Sequence, residues 1–223
     1  STRNPAGPAM RGLGQLAAQP PVPGGNAQPP LGDEGFADCL VWAAPTMVWN
    51  SAEELVFGAG AAVANLLTAN PNVHGAAGLH ADVLAQLIRG TRLWDAVSAA
   101  ETQRLGRVYS PDQSPAEVRR IVRAAMFTSH GGRPSPAELD VAFDTNGKPG
   151  ELGIALASVA CTDGFADALW MAVNHSADSS VAGALAGQLA GAVYGPDAIP
   201  RHWLEELEVR EIIEVLCEDA SEA

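Results

Sequence analysis

The stretch SVAGALAGQLAGAVY, residues 180–194, has a glycine at every fourth position and no charged residue. A four-residue spacing places Gly183, Gly187 and Gly191 along one face of a helix. An interior glycine costs up to about 1 kcal/mol of helix stability relative to alanine, so three on one face indicate a compensating close contact with a neighbouring backbone. We therefore expect a buried central helix, in which the substitution Gly187→Leu would overpack that contact and cost several kcal/mol.

Helix-start signals recur elsewhere in the chain, whereas the apolar and polar alternation of half-buried strands is absent from the sequence. Three pairs have the capping-box spacing: Ser51 with Glu54, Ser114 with Glu117, and Ser135 with Glu138. The periodicity predicts ten helices, at 36–44, 52–69, 78–89, 92–105, 115–127, 136–144, 151–161, 164–174, 180–194 and 202–218. The predicted fold class is all-α.

Composition limits the possible partners. The chain has 13 basic and 26 acidic residues, a formal net charge of −13, which opposes approach to phosphate backbones and anionic lipid headgroups. We therefore expect no nucleic-acid partner and no membrane association. Cys39, Cys161 and Cys217 are far apart and show no paired spacing, which argues against a disulfide framework or a zinc site and favours a cytoplasmic location.

A length of 223 residues is enough for one domain with its own core, so residues 1–223 are expected to form a single domain. Residues 18–35, AAQPPVPGGNAQPPLGDE, combine proline and glycine too densely for a helix or a strand. We expect a surface loop there.

Two features of residues 172–180 suggest a ligand site. Asp178, Ser179 and Ser180 begin the glycine-rich helix, where free N–H groups and positive potential suit phosphates and metal-holding carboxylates. His175 could contact a ligand there or bond the exposed carbonyls of the preceding helix. The remaining histidines show no ligand spacing and are expected to be surface or cap residues: His74, His80, His130 and His202.

The segment AVNHSADSSVAGALAGQLAGAVYGPDAIPRHWLEELEVREII, residues 172–213, resembles the C-terminal signature of the ADP-ribosylglycohydrolase family. That signature is nearly H-S-G-D-S-D-S-T, followed by a small-residue helix and I/L-P-x-x-W-L. Upstream, GPAMR at residues 7–11 resembles the family's glycine-rich segment that faces ADP-ribose, and APTMVWNSAEELVFGAGAAVANLL at residues 44–67 resembles its Thr-His-Gly helix start.

The resemblance implies an orthogonal multi-helix bundle with two Mg²⁺ ions in a cleft, which hydrolyses the glycosidic bond to ADP-ribose. It implies that Asp178 is a metal ligand, and Asp178 and His175 are the candidate catalytic residues if the cleft performs a different, metal-independent reaction. The ligand-binding positions implied by the resemblance are Gly7, Met10, Arg11, Thr46, Asn174, Ser176, Ser179 and Ser180.

The sequence departs from the family pattern at most metal-binding positions. The second aspartate of the signature is Ser180, the following hydroxyl is Val181, and the preceding glycine is Ala177. Thr46 keeps only the threonine of the Thr-His-Gly motif, and the N-terminal acidic metal motif is expected to be absent from this domain. One carboxylate cannot neutralise two Mg²⁺ ions, so no cofactor is expected as the chain stands; Mg²⁺ is expected only if the family activity is retained.

Three functional hypotheses follow. The chain is a degenerate ADP-ribosylglycohydrolase-like pseudoenzyme that binds an ADP-ribose-like ligand or a protein partner. Alternatively, it is a divergent or N-terminally incomplete hydrolase whose first metal motif lies elsewhere. In the third, Asp178 and His175 perform metal-independent acid–base chemistry in the same cleft.

Overall fold

The computed structural model describes residues 38–49, 53–100, 150–176 and 178–222, and every regular element within those ranges is helical. The helices are α1 (Asp38–Val41), α2 (Thr46–Trp49), α3 (Glu53–Asn65), α4 (Pro71–Ile88), α5 (Leu93–Ala99), α6 (Glu151–Cys161), α7 (Phe165–His175), α8 (Ser179–Tyr194), α9 (Arg201–Glu205) and α10 (Arg210–Glu222). A 3₁₀ turn, Pro196–Ala198, joins α8 to α9. The predicted all-α class is confirmed.

Helix α8 lies at the centre of the packing, in contact with α1, α4, α6 and α7. Its inward face consists of leucine and alanine side chains that are fully buried: Ala182, Leu185, Ala186, Leu189 and Ala190. Burial of these apolar side chains stabilises the helix, and each buried leucine contributes about 1.5–3 kcal/mol of stabilising free energy. The expected central position of this helix is therefore confirmed.

The glycines of α8 do not lie at a close backbone contact among the described residues. A Cβ built on Gly187 or Gly191 would have no described atom within 4 Å, and one on Gly183 would meet only Cγ1 of Val173, at 3.0 Å. The buried stripe runs through the alanines one position earlier, so the glycines lie on the half-buried flank. The close backbone contact expected at Gly187 is therefore not found among the described residues, and the cost of Gly187→Leu stays a prediction.

The close helix contact occurs instead between α3 and α4. A Cβ added to Gly60 would lie 2.8 Å from Cβ of Ala81 and 2.9 Å from the carbonyl oxygen of Ala77. A Cβ added to Gly78 would lie 2.7 Å from the carbonyl oxygen of Phe57. These distances are too short for a side chain, so glycine at both positions lets the two helices approach backbone to backbone.

Two predicted helix boundaries differ from the structure, and each difference lies next to a proline, Pro45 or Pro71. The predicted helix 36–44 is a short α1, and a separate α2 follows Pro45. Helix α4 begins at Pro71, seven residues before the predicted start, because proline fits the first helical position, where no N–H donor is needed. The carbonyl of Asn70 accepts the first bonds of this helix, from Val73 N at 3.1 Å and His74 N at 3.2 Å.

The C-terminal prediction of one helix over 202–218 is also wrong, since α9 and α10 are separate. Glu205 and Glu206 stand where α9 ends, and negative charge is unfavourable at the negative end of a helix dipole. Helix α6 matches its predicted bounds, and α7 and α8 match within one residue. The predicted helices 115–127 and 136–144, the capping serines and the loop 18–35 lie outside the described residues. Within the ranges that are described, no helix is long and apolar enough to cross a bilayer.

Candidate functional site

The turn between α7 and α8 gathers the candidate residues of the C-terminal signature. The N–H of Asp178 donates to Oγ of Ser176 at 3.1 Å, and that hydroxyl donates to the carbonyl oxygen of Asp178, also at 3.1 Å. Oδ1 of Asp178 accepts the N–H of Val181 at 3.2 Å, so Asp178 is the N-cap of α8. Aspartate is well suited to this position, because its carboxylate satisfies a free donor and lies at the positive end of the helix dipole.

Most of these side chains face solvent. His175, Asp178, Ser179 and Ser180 are exposed, which leaves carboxylate, hydroxyl and imidazole groups accessible on one short turn. The amide of Asn174 is used within α7, where Nδ2 donates to the carbonyl oxygen of Trp170 at 2.7 Å. The structure therefore brings together the signature residues 174–176 and 178–180.

The upstream candidates are placed differently. Thr46 begins α2, and its hydroxyl donates to the carbonyl oxygen of Ala43 at 2.6 Å, a local bond that closes the turn after α1. Helices α2 and α8 both pack on α4. Gly7, Met10 and Arg11 lie outside the described residues.

The described residues of this turn do not fit a dinuclear Mg²⁺ site. Asp178 is the single carboxylate retained from the signature, and one of its oxygens caps α8. Val181, at the position of the family hydroxyl, is only 8% exposed and belongs to the core cluster. Throughout the described ranges, no group of three or more histidine, cysteine, aspartate or glutamate side chains is placed to hold a metal. Hard divalent cations need several oxygen ligands, so this donor set is insufficient.

The prediction that His80 is a surface or cap residue is wrong. It is 1% exposed, and its Nε2 lies 2.7 Å from Oε1 of Gln188 on α8. Nε2 of Gln188 in turn donates to the carbonyl oxygen of Val41 at 3.3 Å. The amide oxygen of Gln188 therefore faces the imidazole, and this network assigns the ring proton to Nε2. The three residues connect α4, α8 and α1 through one chain of hydrogen bonds.

The environment of His80 keeps the ring neutral at pH 7. Burial lowers its pKa to about 4, against the opposing effect of the hydrogen bond to Gln188, which raises it. Nδ1 of this ring has no hydrogen-bond partner among the residues that the structure describes. In the sequence, Gln188 is the only polar side chain between Val181 and Val193, but His80 shares its segment with His74, Asp82 and Gln86, so no signal singles it out.

The other histidines fit the expectation where they are described. Nε2 of His74 lies 2.6 Å from the carbonyl oxygen of Thr68, a local contact beside the start of α4, and His202 is exposed. His130 lies outside the described residues.

The end of the signature fixes the position of α8. Tyr194 is the last residue of α8. Its hydroxyl donates to the carbonyl oxygen of Thr162 at 2.6 Å, just after α6 ends. Trp203 of α9 packs edge-to-face against Phe165 of α7, with ring centroids 6.2 Å apart. These aromatic contacts involve the first residue of α7 and the last residue of α8, so they lie at the end of the two helices away from the turn.

An all-helical bundle with this signature turn defines the class of the ADP-ribosylglycohydrolases. Residues 2–223 match the model of the family described as ADP-ribosylglycohydrolase, and the chain belongs to this family.

Two curated relatives match parts of the chain. It is 49% identical over 49 residues to ADP-ribosyl-[dinitrogen reductase] glycohydrolase of Rhodospirillum rubrum, covering 22% of this chain and 17% of the relative. It is 33% identical over 112 residues to ADP-ribosylarginine hydrolase Tri1 of Serratia proteamaculans, covering 50% of this chain and 29% of the relative. The matches thus span less than a third of either relative. No solved structure matches the chain at a significant level.

Proposed function

We propose that this chain is a degenerate ADP-ribosylglycohydrolase that binds an ADP-ribose-like ligand at the α7–α8 turn and has little metal-dependent hydrolytic activity. The proposal rests on the structural roles of two signature positions, residues 178 and 181. Asp178 caps α8 through the N–H of Val181, and the Val181 side chain is part of the core.

The argument against Mg²⁺ is electrostatic. Two Mg²⁺ ions bring four positive charges and require several oxygen ligands, whereas the turn offers the carboxylate of Asp178 and serine hydroxyls. Turning the carboxylate away from Val181 toward a metal would also sacrifice the helix cap, at a cost of about 1 kcal/mol. Weak binding of the metal would leave little Mg²⁺ in place to activate water.

The same turn is suited to a phosphate or a ribose without a metal. Helix α8 has 16 residues, and its first N–H groups carry a positive partial charge that favours an anion. The exposed hydroxyls of Ser179 and Ser180 can donate to phosphate oxygens, and the carboxylate of Asp178 can accept a ribose hydroxyl. These groups match both polar parts of ADP-ribose.

The test is calorimetric titration with millimolar ADP-ribose in the presence of EDTA. We expect weak, chelator-insensitive binding to the unmodified chain. Ser180→Glu should weaken it at least tenfold, because the added carboxylate repels a phosphate while remaining compatible with a helix start. Ala184→Glu is the matched control, since residue 184 is exposed one turn further along α8 and the charge change is identical.

Two results would count against this proposal. If ADP-ribose gives neither heat nor a thermal shift, the ligand-binding version fails and the protein-partner version is favoured. If both glutamate variants weaken binding equally, the effect is a general charge effect, and the ligand does not lie at the start of α8.

A second candidate is a divergent or N-terminally incomplete hydrolase whose first metal motif lies outside the 223 residues of this chain. The two relatives are named as a glycohydrolase and an ADP-ribosylarginine hydrolase, which favours this reading. Chelator-sensitive turnover would support it. Turnover that persists in EDTA and is lost in Asp178→Asn would instead support acid–base chemistry by Asp178 and His175.

A further inference from the structure

Helix α8 is built from a sequence that repeats every four residues. Residues 182–193 read AGAL, AGQL and AGAV, so alanine, glycine and a branched aliphatic residue return at the same places in each repeat. Gln188 is the one polar residue of this segment, and it stands where the other two repeats have alanine. The fully buried side chains of α8 follow the same period: Ala182, Leu185, Ala186, Leu189 and Ala190.

This repeat leaves the axial register of α8 poorly defined by apolar packing. At 1.5 Å and 100° per residue, a shift of four residues moves a helix by about 6 Å along its axis and turns it by about 40°. Apart from Gln188, each residue of the repeat would then take a place that held the same or a similar residue. The hydrophobic effect is not directional, so it discriminates only weakly between two such registers.

The hydrogen bonds of Gln188 do discriminate, because their partners lie on two other helices. Oε1 of Gln188 accepts from Nε2 of His80 on α4 at 2.7 Å, and its Nε2 donates to the carbonyl oxygen of Val41 on α1 at 3.3 Å. A shift of four residues would bring Ala184 or Ala192 to the place of Gln188. The N–H of His80, which is 1% exposed, would then be buried without its acceptor. Such an orphaned donor costs more than one hydrogen bond contributes.

The imidazole of His80 also carries a cost that an apolar side chain would avoid. Its Nδ1 is buried and has no hydrogen-bond partner among the described residues. Replacement of buried polar pairs by apolar residues of similar volume is often neutral or stabilising, so stability alone does not account for this pair. A single buried asparagine in a coiled coil has the comparable role, since it specifies the register at a cost in stability.

The register of α8 decides where the α7–α8 turn lies relative to α4 and to α2, which packs on α4 and begins at Thr46. Tyr194 attaches α8 to the end of α6. The contact with α4 is made by His80 and Gln188. We propose that the His80–Gln188 pair sets the axial register of α8 against α4 and thereby positions the α7–α8 turn for its ligand. Both are positioning residues, and their effect on the ligand rests on the function proposed above.

The register is measurable without a ligand, as the distance between nitroxide labels on α4 and α8 in the full 223-residue chain. Arg89, just after α4, and Ala184 on α8 are exposed, so Arg89→Cys and Ala184→Cys provide the labelling sites. Cys217→Ser is included throughout, because Cys217 is exposed whereas Cys39 and Cys161 are buried. Pulsed electron paramagnetic resonance should give one distance when His80 and Gln188 are both present.

The test variant combines His80→Leu with Gln188→Ala, which removes both partners and completes the four-residue repeat. We expect it to melt cooperatively, because neither position keeps a polar side chain without a partner. The label distance should broaden or divide into two. In the unlabelled chain, the Kd for ADP-ribose in EDTA should rise at least tenfold. If the combination does not melt cooperatively, Gln188→Met replaces it, since methionine removes the amide and keeps the length of the side chain.

Two further variants separate positioning from a general loss of stability. His80→Gln keeps an N–H donor toward Gln188, so it should retain the single distance and the parent's Kd at pH 7. Tyr194→Phe is the matched control, because it removes a hydrogen bond of α8 to the end of α6 and leaves the His80–Gln188 pair in place. It should change neither the distance nor the Kd.

A single, parent-like distance in the variant that lacks both partners would overturn the proposal. A broadened distance with an unchanged Kd would also overturn it, because the register would then not position the turn. If the parent does not bind ADP-ribose, the function proposed above fails, and the label distances still decide whether His80 and Gln188 set the register.

Discussion

The buried imidazole of His80 predicts an acid-sensitive fold, and the variant His80→Gln tests it. Glutamine can still donate an amide N–H toward Gln188, but it does not titrate. In the parent chain, burial lowers the pKa of His80 from 6.5 to about 4, so the native state resists a proton that the unfolded state accepts.

The sign and size of the effect follow by linkage. Above pH 6.5 the ring is neutral in both states, and His80 makes no contribution to the pH dependence. As the pH falls from 6.5 to about 4, the unfolded state binds the proton first and the native state loses stability. The gap between the two pKa values corresponds to about 3 kcal/mol, since one pKa unit is about 1.4 kcal/mol. Below pH 4 both states are protonated and this loss stops growing.

Urea denaturation followed by circular dichroism at pH 7, 6, 5 and 4 gives the free energy of unfolding. We expect the parent to lose about 3 kcal/mol more than His80→Gln between pH 7 and pH 4. His202→Gln is the control, because the His202 side chain is exposed. The free energy of unfolding of this variant should follow that of the parent at every pH. Parallel pH profiles for the parent and His80→Gln would refute the reasoning that a buried neutral ring links α4 to α8.

Three further predictions concern packing and the metal position. Gly60→Ala should cost about 1–3 kcal/mol in urea denaturation, because its Cβ would clash with α4, whereas Gly187→Ala should be neutral or stabilising by up to about 1 kcal/mol; equal effects would contradict the assigned contacts. Tyr194→Phe should lower the free energy of unfolding by about 1–2 kcal/mol, since the Thr162 carbonyl loses its donor, and an unchanged stability would show that the bond contributes nothing. Ser180→Asp should recover Mg²⁺ affinity only partially in calorimetry, and tight binding would show that the other ligands are already present.

The sequence predicts helix type and the central place of α8 well, because both depend on local periodicity and capping. It does not reveal which face of α8 is buried. The alanine and glycine stripes are adjacent and both consist of small residues, so tertiary packing decides between them. The sequence also does not reveal the close contact of Gly60 with α4, because a pair of glycines that are separated in the sequence has no local signature.

The candidate site divides in a similar way. The resemblance located the turn from Asn174 to Ser180, because a contiguous motif stays together in space. It could not show that Asp178 caps α8. The pairing of His80 with Gln188 joins residues 108 positions apart, so no spacing rule could detect it.

The central claim, that this chain has little metal-dependent hydrolysis, is tested most directly by turnover of ADP-ribosylated arginine and serine peptides with and without EDTA. The hydrolase Tri1 of Serratia proteamaculans, an ADP-ribosylarginine hydrolase, serves as the positive control on the arginine peptide. We expect the unmodified chain to release ADP-ribose at close to the protein-free rate, with no difference when Mg²⁺ is chelated. Robust release that EDTA abolishes would contradict the account, because it would require metal ligands beyond Asp178.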